Sequence, residues 1–244
     1  MTAPPPYVLL TDIQRVLVVV AHPDDVDYGA AGTIATFTDA GLHVSYCLIT
    51  DGDAGGFDDT VDRSTIPAIR QAEQRAAAAA VGVCDLAFLG YPDGRLTLTQ
   101  ELRRDISRVV RRERPDLVLT SAPERNYRRI GISHPDHLVA GEATLCAVYP
   151  DARNAFAHPE LLADEGLAPW TVREVWQLGS PHANHYVDIT DVVERKIAAL
   201  ACHASQTTHL DLPQFVGTAF AAQARMAGFA EGRLAEAFHV FGTA

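Results

Sequence analysis

The run Val16-Leu17-Val18-Val19-Val20, followed at once by Ala21-His22-Pro23-Asp24-Asp25, constrains this chain more than any other feature. β-Branched residues dominate it and no polar residue alternates with them, so it reads as a strand buried within a parallel sheet. Ionisable groups placed where such a strand ends stand where open α/β sheets carry their chemistry. A similar motif, His134-Pro135-Asp136-His137, lies past the middle of the chain.

Strand and helix patterns alternate along most of the sequence. Ala30 to Ala40 has helical spacing and ends at Gly41, and His43 to Thr50 reads as a second strand, which makes a right-handed β-α-β unit. Asp51 to Gly56 is a glycine-rich loop without the spacing of a dinucleotide fingerprint, and is expected to form a mobile pocket rim. Then come an Ala-rich helix from Pro67 to Val81, a short strand from Leu86 to Leu89 and a turn at Tyr91-Pro92-Asp93-Gly94. A helix from Leu98 to Arg112 and a strand from Leu117 to Thr120 follow. His134 to Val148 reads as a helix with Pro135 in its first turn, where the missing N–H costs nothing. Tyr149 to Pro169 looks like a surface excursion; strands at Val172 to Leu178 and Tyr186 to Ile189 and a helix from Val192 to His203 follow it. After Thr207 no clear pattern is readable. The alternation predicts an α/β fold with a doubly wound, mostly parallel sheet. With no internal repeat and no linker, a single domain spanning residues 1–244 is expected.

Composition narrows the function. A net charge of -11 argues against nucleic-acid binding, which needs Lys and Arg to neutralise phosphates. Met1 to Pro6 has neither a basic region nor an apolar stretch, and no run approaches the ~20 apolar residues of a membrane span. A cytoplasmic protein acting on a small molecule, with no membrane or nucleic-acid partner, is therefore expected. Cys47, Cys84, Cys146 and Cys202 are scattered and read as reduced core residues. Arg103, Arg104, Arg108, Arg111, Arg112 and Arg114 fall on one amphipathic helix and read as its charged outer face.

The two His-Pro-Asp motifs supply catalytic chemistry. A catalytic zinc site takes three protein ligands from His, Asp or Glu, and His22, Asp25 and His137 can provide them. Pro23 helps turn the chain off the strand so that His22 and Asp25 converge, which leaves Asp24 beside the ion but unbound. His134 and His137 share a helical face, and a helix N-terminus disfavours imidazolium. Asp24 then accepts a proton from activated water and passes it to a departing amine, while His134 stabilises the oxyanion of a tetrahedral intermediate. Asp136 either orients His134 or a ligand imidazole, or caps the helix or faces solvent. One His-Pro-Asp alone is ordinary turn or N-cap chemistry; two, each at a strand or helix boundary, favour the catalytic reading.

At these residues the chain resembles the zinc-dependent N-acetylglucosaminyl deacetylases (PIG-L or LmbE-like), which include the mycothiol and bacillithiol biosynthetic deacetylases and the glycosylphosphatidylinositol de-N-acetylase. The resemblance implies a Rossmann-like fold and metal ligands at His22, Asp25 and His137. It also implies a general base at Asp24 and an oxyanion-stabilising histidine at His134. Arg70, in Arg70-Gln71-Ala72-Glu73, and Asp93 match substrate contacts of the family, and His203-Ala204-Ser205-Gln206 also looks familial. Three positions depart from the pattern. Val26 replaces a common Glu, so that only the shifted Asp27 offers a carboxylate; Ala31-Gly32-Thr33 stands for Gly-Gly-Thr; and Ile132 stands where mycothiol-pathway members have Tyr, a role either missing or supplied by Tyr127.

Arg125, Arg128 and Arg129 precede the second motif and are candidates to hold a substrate phosphate or carboxylate, with a solvated loop as the alternative. Asn184 and His185 are candidates to reach the pocket from a late loop. The expected activity is removal of acetyl from an N-acetylated amino sugar or its glycoside with one divalent metal, zinc first and iron or another ion second. The alternatives are an amidase on a related sugar conjugate and a non-catalytic carbohydrate-binding protein. The resemblance leaves a homo-oligomer open.

Overall fold

The computed structural model describes residues 9–58 and 60–243, so the Met1 to Pro6 segment lies outside it. The apolar run forms β1 (Arg15–Val20), followed by α1 (Asp25–Asp39), β2 (His43–Thr50), α2 (Ile66–Ala80), β3 (Asp85–Tyr91), α3 (Gln100–Glu113), β4 (Leu117–Ser121) and α4 (Pro135–Cys146). Next come α5 (Pro159–Ala163), β5 (Glu174–Leu178), β6 (His185–Asp188), α6 (Val193–Cys202), α7 (Ala204–Thr207), α8 (Leu212–Met226) and β7 (Ala235–Gly242). The seven strands form one sheet in the order β3-β2-β1-β4-β5-β7-β6. β1 to β5 pair in parallel, and β7 runs antiparallel to both β5 and β6.

Alternation along β1 shows why the fold is doubly wound. Val16, Val18 and Val20 pack with Val26, Ala30 and Ile34 of α1, Ala77 and Ala78 of α2 and Ala199 of α6. Leu17 and Val19 point the other way, into a second core with Leu102, Ile106, Val109 and Val110 of α3 and Ala140 and Ala143 of α4. Leu17, Val18, Val19 and Val20 are all 0% exposed, and each contributes about 1.5–3 kcal/mol of apolar burial.

The structure corrects three expectations. Arg111 is not on an outer face: it is 2% exposed and donates to the carbonyls of Asp151, Ala152, Asn154 and Ala157. Irregular backbone that packs on a core needs such donors, so the Tyr149 to Pro169 excursion is anchored, with Leu161 fully buried. Cys47 is buried, Cys146 and Cys202 are half-buried and Cys84 is exposed; all four are free. The tail beyond Thr207 holds α8 and an interior strand of the sheet, β7, next to the edge strand β6. Among the described residues no helix is long and apolar enough to cross a membrane.

Candidate active site

The site forms where β1 ends. Ala21 still accepts a sheet-like bond from Thr50 N, and then His22, Pro23 and Asp24 turn the chain into α1. Asp24 makes the turn with φ 97°, in the left-handed region that Asp and Asn tolerate better than most residues. From the other core, α4 brings its first turn against the end of β4. Gly141 permits this approach, because a Cβ there would lie 2.3 Å from the Ser121 carbonyl oxygen.

His22 Nδ1 lies 3.2 Å from His137 Nε2, His137 Nε2 lies 2.9 Å from Asp25 Oδ1, and Asp25 Oδ2 lies 3.5 Å from His22 Nδ1. Tetrahedral bonds of about 2.0–2.2 Å put ligand atoms about 3.3–3.6 Å apart; the 3.5 Å pair falls in that range and the 3.2 and 2.9 Å pairs are shorter, so the three side chains converge on one point and would have to part by a few tenths of an ångström around one divalent cation. The remaining ring nitrogens face other groups. His137 Nδ1 is 3.0 Å from the Ile132 carbonyl, and His22 Nε2 is 2.9 Å from Asp93 Oδ1 and 3.4 Å from Asp136 Oδ2. His137 therefore donates from Nδ1 to a carbonyl and turns Nε2 towards the shared point, while His22 Nε2 lies in the field of two carboxylates without a hydrogen bond to either and Nδ1 faces the shared point.

His134 is also close to His22 and His137, with one nitrogen from each within 4.8 Å of the others. Its Nδ1, however, accepts from Asp136 N at 3.2 Å, which places the proton of the neutral ring on Nε2. In this tautomer His134 Nε2–H is free to donate. Burial pushes its pKa down, as do His22 and His137, which keeps it neutral.

The electrostatics favour positive charge between the carboxylates. Burial lowers the pKa of His22, but Asp25 and Asp93 outweigh it and raise it to about 11. Burial also opposes charge on His137, and Asp25 again raises its pKa. The Asp25 carboxylate, 2.9 Å away, acts in the opposite sense to the helix N-terminus, which disfavours imidazolium. Asp25 is held well below the usual carboxylate range by His137 and His22 despite its burial. Asp24 behaves differently: burial drives its carboxyl up to about 6, and Arg70, 3.0 Å away, pulls in the opposite sense.

The chain matches the PIG-L: GlcNAc-PI de-N-acetylase family over residues 17–148. This chain belongs to that family. It is 36% identical over 195 residues to the diacetylchitobiose deacetylase of Thermococcus kodakarensis, an alignment that covers 80% of this chain and 71% of that protein. It is 33% identical to the probable N-acetyl-alpha-D-glucosaminyl L-malate deacetylase 2 of Bacillus cereus, over 80% of this chain and 84% of the relative. The structure resembles N,N'-diacetylchitobiose deacetylase from Pyrococcus horikoshii with a TM-score of 0.85 and 30% identity, covering 94% and 84% of the two chains.

Within this PIG-L chain the other expected site residues fall in different places. Asp136 is neither solvent-facing nor a side-chain cap: it is 1% exposed and its carboxylate accepts from Gly94 N (2.7 Å) and Leu96 N (3.2 Å). It orients His134 through its backbone N–H, and it faces His22 with its carboxylate. Asp93 is shared between His22 and Ala54 N, which is 3.1 Å from Oδ2. Arg70 is 3% exposed and bound to Asp24, the Pro23 carbonyl and, at 3.4 Å, the Gly52 carbonyl. The rim loop wraps this guanidinium so closely that a Cβ on Gly52 would stand 2.9 Å from Arg70 Cζ.

Tyr127 is 85% exposed and Arg128 is exposed beside it on the loop before the second motif. The Ile132 position serves the site through its carbonyl, which holds His137. His185 stands away from the cluster: it lies on edge strand β6 and packs against Trp176, with ring centroids 4.9 Å apart, while Asn184 bonds the backbone of Val240. Strand β7 separates this edge from β5, which is why a late loop does not reach the pocket.

Asp27 does not face the cluster either. It is fully buried and bonded to Gln74 and His203. The Arg70 to Glu73 and His203 to Gln206 segments meet, since Glu73 accepts from Ser205 N and Ser205 Oγ, both at 2.7 Å. Gln74 was not evident from the sequence; its spacing of four residues from Arg70, on the same helical face, was the available signal.

Proposed function

We propose that this protein is a metal-dependent hydrolase that removes an acetyl group from an N-acetylglucosaminyl-type amino sugar or its glycoside. The convergence of His22 Nδ1, His137 Nε2 and the Asp25 carboxylate, with His134 beside them and Asp24 next to Asp25 in the chain, carries this reading. It is supported by family membership and by relatives whose names describe deacetylases of N-acetylglucosamine derivatives.

Zinc suits the nitrogen, nitrogen and oxygen donor set; a divalent cation bound there supplies Lewis acidity to water and to the amide carbonyl. Asp24, with its carboxyl raised to about 6, is ionised at neutral pH and basic enough to accept the proton of the attacking water. The developing oxyanion takes a hydrogen bond from His134 Nε2–H, and the proton on Asp24 returns to the departing amine. Asp93 and Arg70, at the inner wall, and Tyr127 and Arg128, at the rim, are the proposed substrate-side residues. Arg125, Arg128 and Arg129 suit a phosphate or carboxylate on the aglycone.

The test is to incubate metal-loaded protein with a panel of N-acetylated sugars, N,N'-diacetylchitobiose among them, and to measure free acetate and free amine. Matched release of both is expected. Sugar binding without acetate would leave a carbohydrate-binding protein, and an acid product other than acetate would leave an amidase.

A further inference from the structure

Asp24 sits in an unusual backbone conformation, and two side chains of α2 hold it there. Arg70 takes its carboxylate, while Gln74 Oε1 accepts from its backbone N–H at 2.8 Å. A primary amide can present either end, and a flipped Gln74 would set an NH2 against that N–H. Asp27 decides between the two: its carboxylate only accepts, and Oδ2 lies 2.9 Å from Gln74 Nε2. The same Oδ2 lies 2.8 Å from His203 Nε2, which fixes the carboxylate from α6's C-terminal end. All three side chains are 0% exposed.

We propose that Gln74, oriented by the Asp27–His203 pair, is the positioning residue that locks the Asp24 backbone so that its carboxylate faces the His22–Asp25–His137 cluster. The proposal rests on the hydrolase reading, in which Asp24 moves the proton. Two observations favour positioning over packing. A non-glycine residue at φ 97° costs of order 1–3 kcal/mol and needs a partner that holds it. Asp27 Oδ1 and His203 Nδ1 are buried without hydrogen-bond partners among the described residues, a cost that apolar side chains of similar size would not carry.

The experiment compares Gln74→Leu, Asp27→Leu and Asp27→Asn in the metal-loaded full chain. The amide that Asp27→Asn introduces can accept both present hydrogen bonds on one oxygen, so this variant keeps the Gln74 orientation without the charge. Gln74→Leu and Asp27→Leu are expected to lower kcat by roughly a hundredfold with KM and bound metal near the parent values, and Asp27→Asn to restore most of kcat. Crystal structures of the variants should show Asp24 leaving its left-handed conformation in both leucine variants and keeping it in Asp27→Asn. An unmoved Asp24 in the leucine variants overturns the proposal, as does parental kcat in them, or a loss in Asp27→Asn equal to that in Asp27→Leu. If Gln74→Leu does not fold, the two Asp27 variants make the same comparison. Should the parent protein release no acetate from any sugar, the hydrolase reading fails, and the Asp24 conformations still decide the positioning.

Discussion

Two clusters of buried charge touch α1, one at its middle and one at its first turn, and they are wired in opposite ways. At the middle, Glu236 accepts from Gly32 N, Thr33 N and Thr33 Oγ1, and Lys196 donates to Glu236 and to the Asp27 and Tyr28 carbonyls, all within 2.6–3.0 Å. Both side chains are 0% exposed, and the ammonium also lies 4.1 Å from the Phe220 ring centroid. One charge meets one charge and all three ammonium protons are used. At the first turn Asp24, Asp25, Asp93 and Asp136 surround His22 and His137, and Arg70 is the neighbouring fixed cation. Here the balance is incomplete without protons or a metal. A closed pair fixes the packing of α6 and β7 on α1, whereas an unbalanced cluster of acids is suited to holding a cation and moving a proton.

Breaking each cluster should therefore do different damage. The largest effect is expected from Asp24→Asn. Asparagine keeps the left-handed backbone but cannot accept the proton, so acetate release should fall about 10²–10⁴-fold with metal content unchanged. Retention of the parental rate would remove Asp24 from the mechanism. Lys196→Met strands Glu236 in the core and should cost about 3–5 kcal/mol in denaturant unfolding. An unchanged unfolding midpoint would show that the pair is not holding the fold.

Asp136→Asn keeps the size of the side chain but weakens the hold on His22 and the Gly94 to Leu96 turn. It should reduce metal affinity about 10–100-fold in a competition with a chelator. The smallest effect concerns pH. Asp24 must be ionised to act, and its carboxyl sits at about 6, so kcat/KM should decline as pH falls through an acid limb at or below that value. Arg70 lowers this pKa, so Arg70→Gln should move the limb to higher pH. A limb that stays in place, or moves down, would separate Arg70 from the Asp24 titration.

Much of this was legible because the signals are local. A run of β-branched residues, a Pro-Asp turn and a Pro at the first helical position each carry their structural meaning within a few residues. The two-core arrangement follows from the odd and even positions of β1, and the side chains that meet, those of His22, Asp25 and His137, come from two short motifs. Strand β7 was not legible: in Ala235-Glu236-Ala237-Phe238 the acidic residue is fully buried, because its partner Lys196 is 40 residues away. The same holds for Arg111, which looks like surface charge until the carbonyls of 151–157 are brought to it.

What the sequence by itself determined is the strand-helix alternation and a set of histidines and carboxylates placed at the end of a buried strand. Periodicity and residue chemistry suffice for that. Only the tertiary structure decided which nitrogen of each histidine faces the shared point, that His134 Nδ1 accepts from Asp136 N while His137 Nε2 faces Asp25, and that His185 stays on the far edge. It also decided that Gln74, Asp27 and His203, spread over 176 residues, close behind Asp24. Tautomer, burial and pKa depend on which groups lie within about 3 Å of one another, and sequence distance does not measure that.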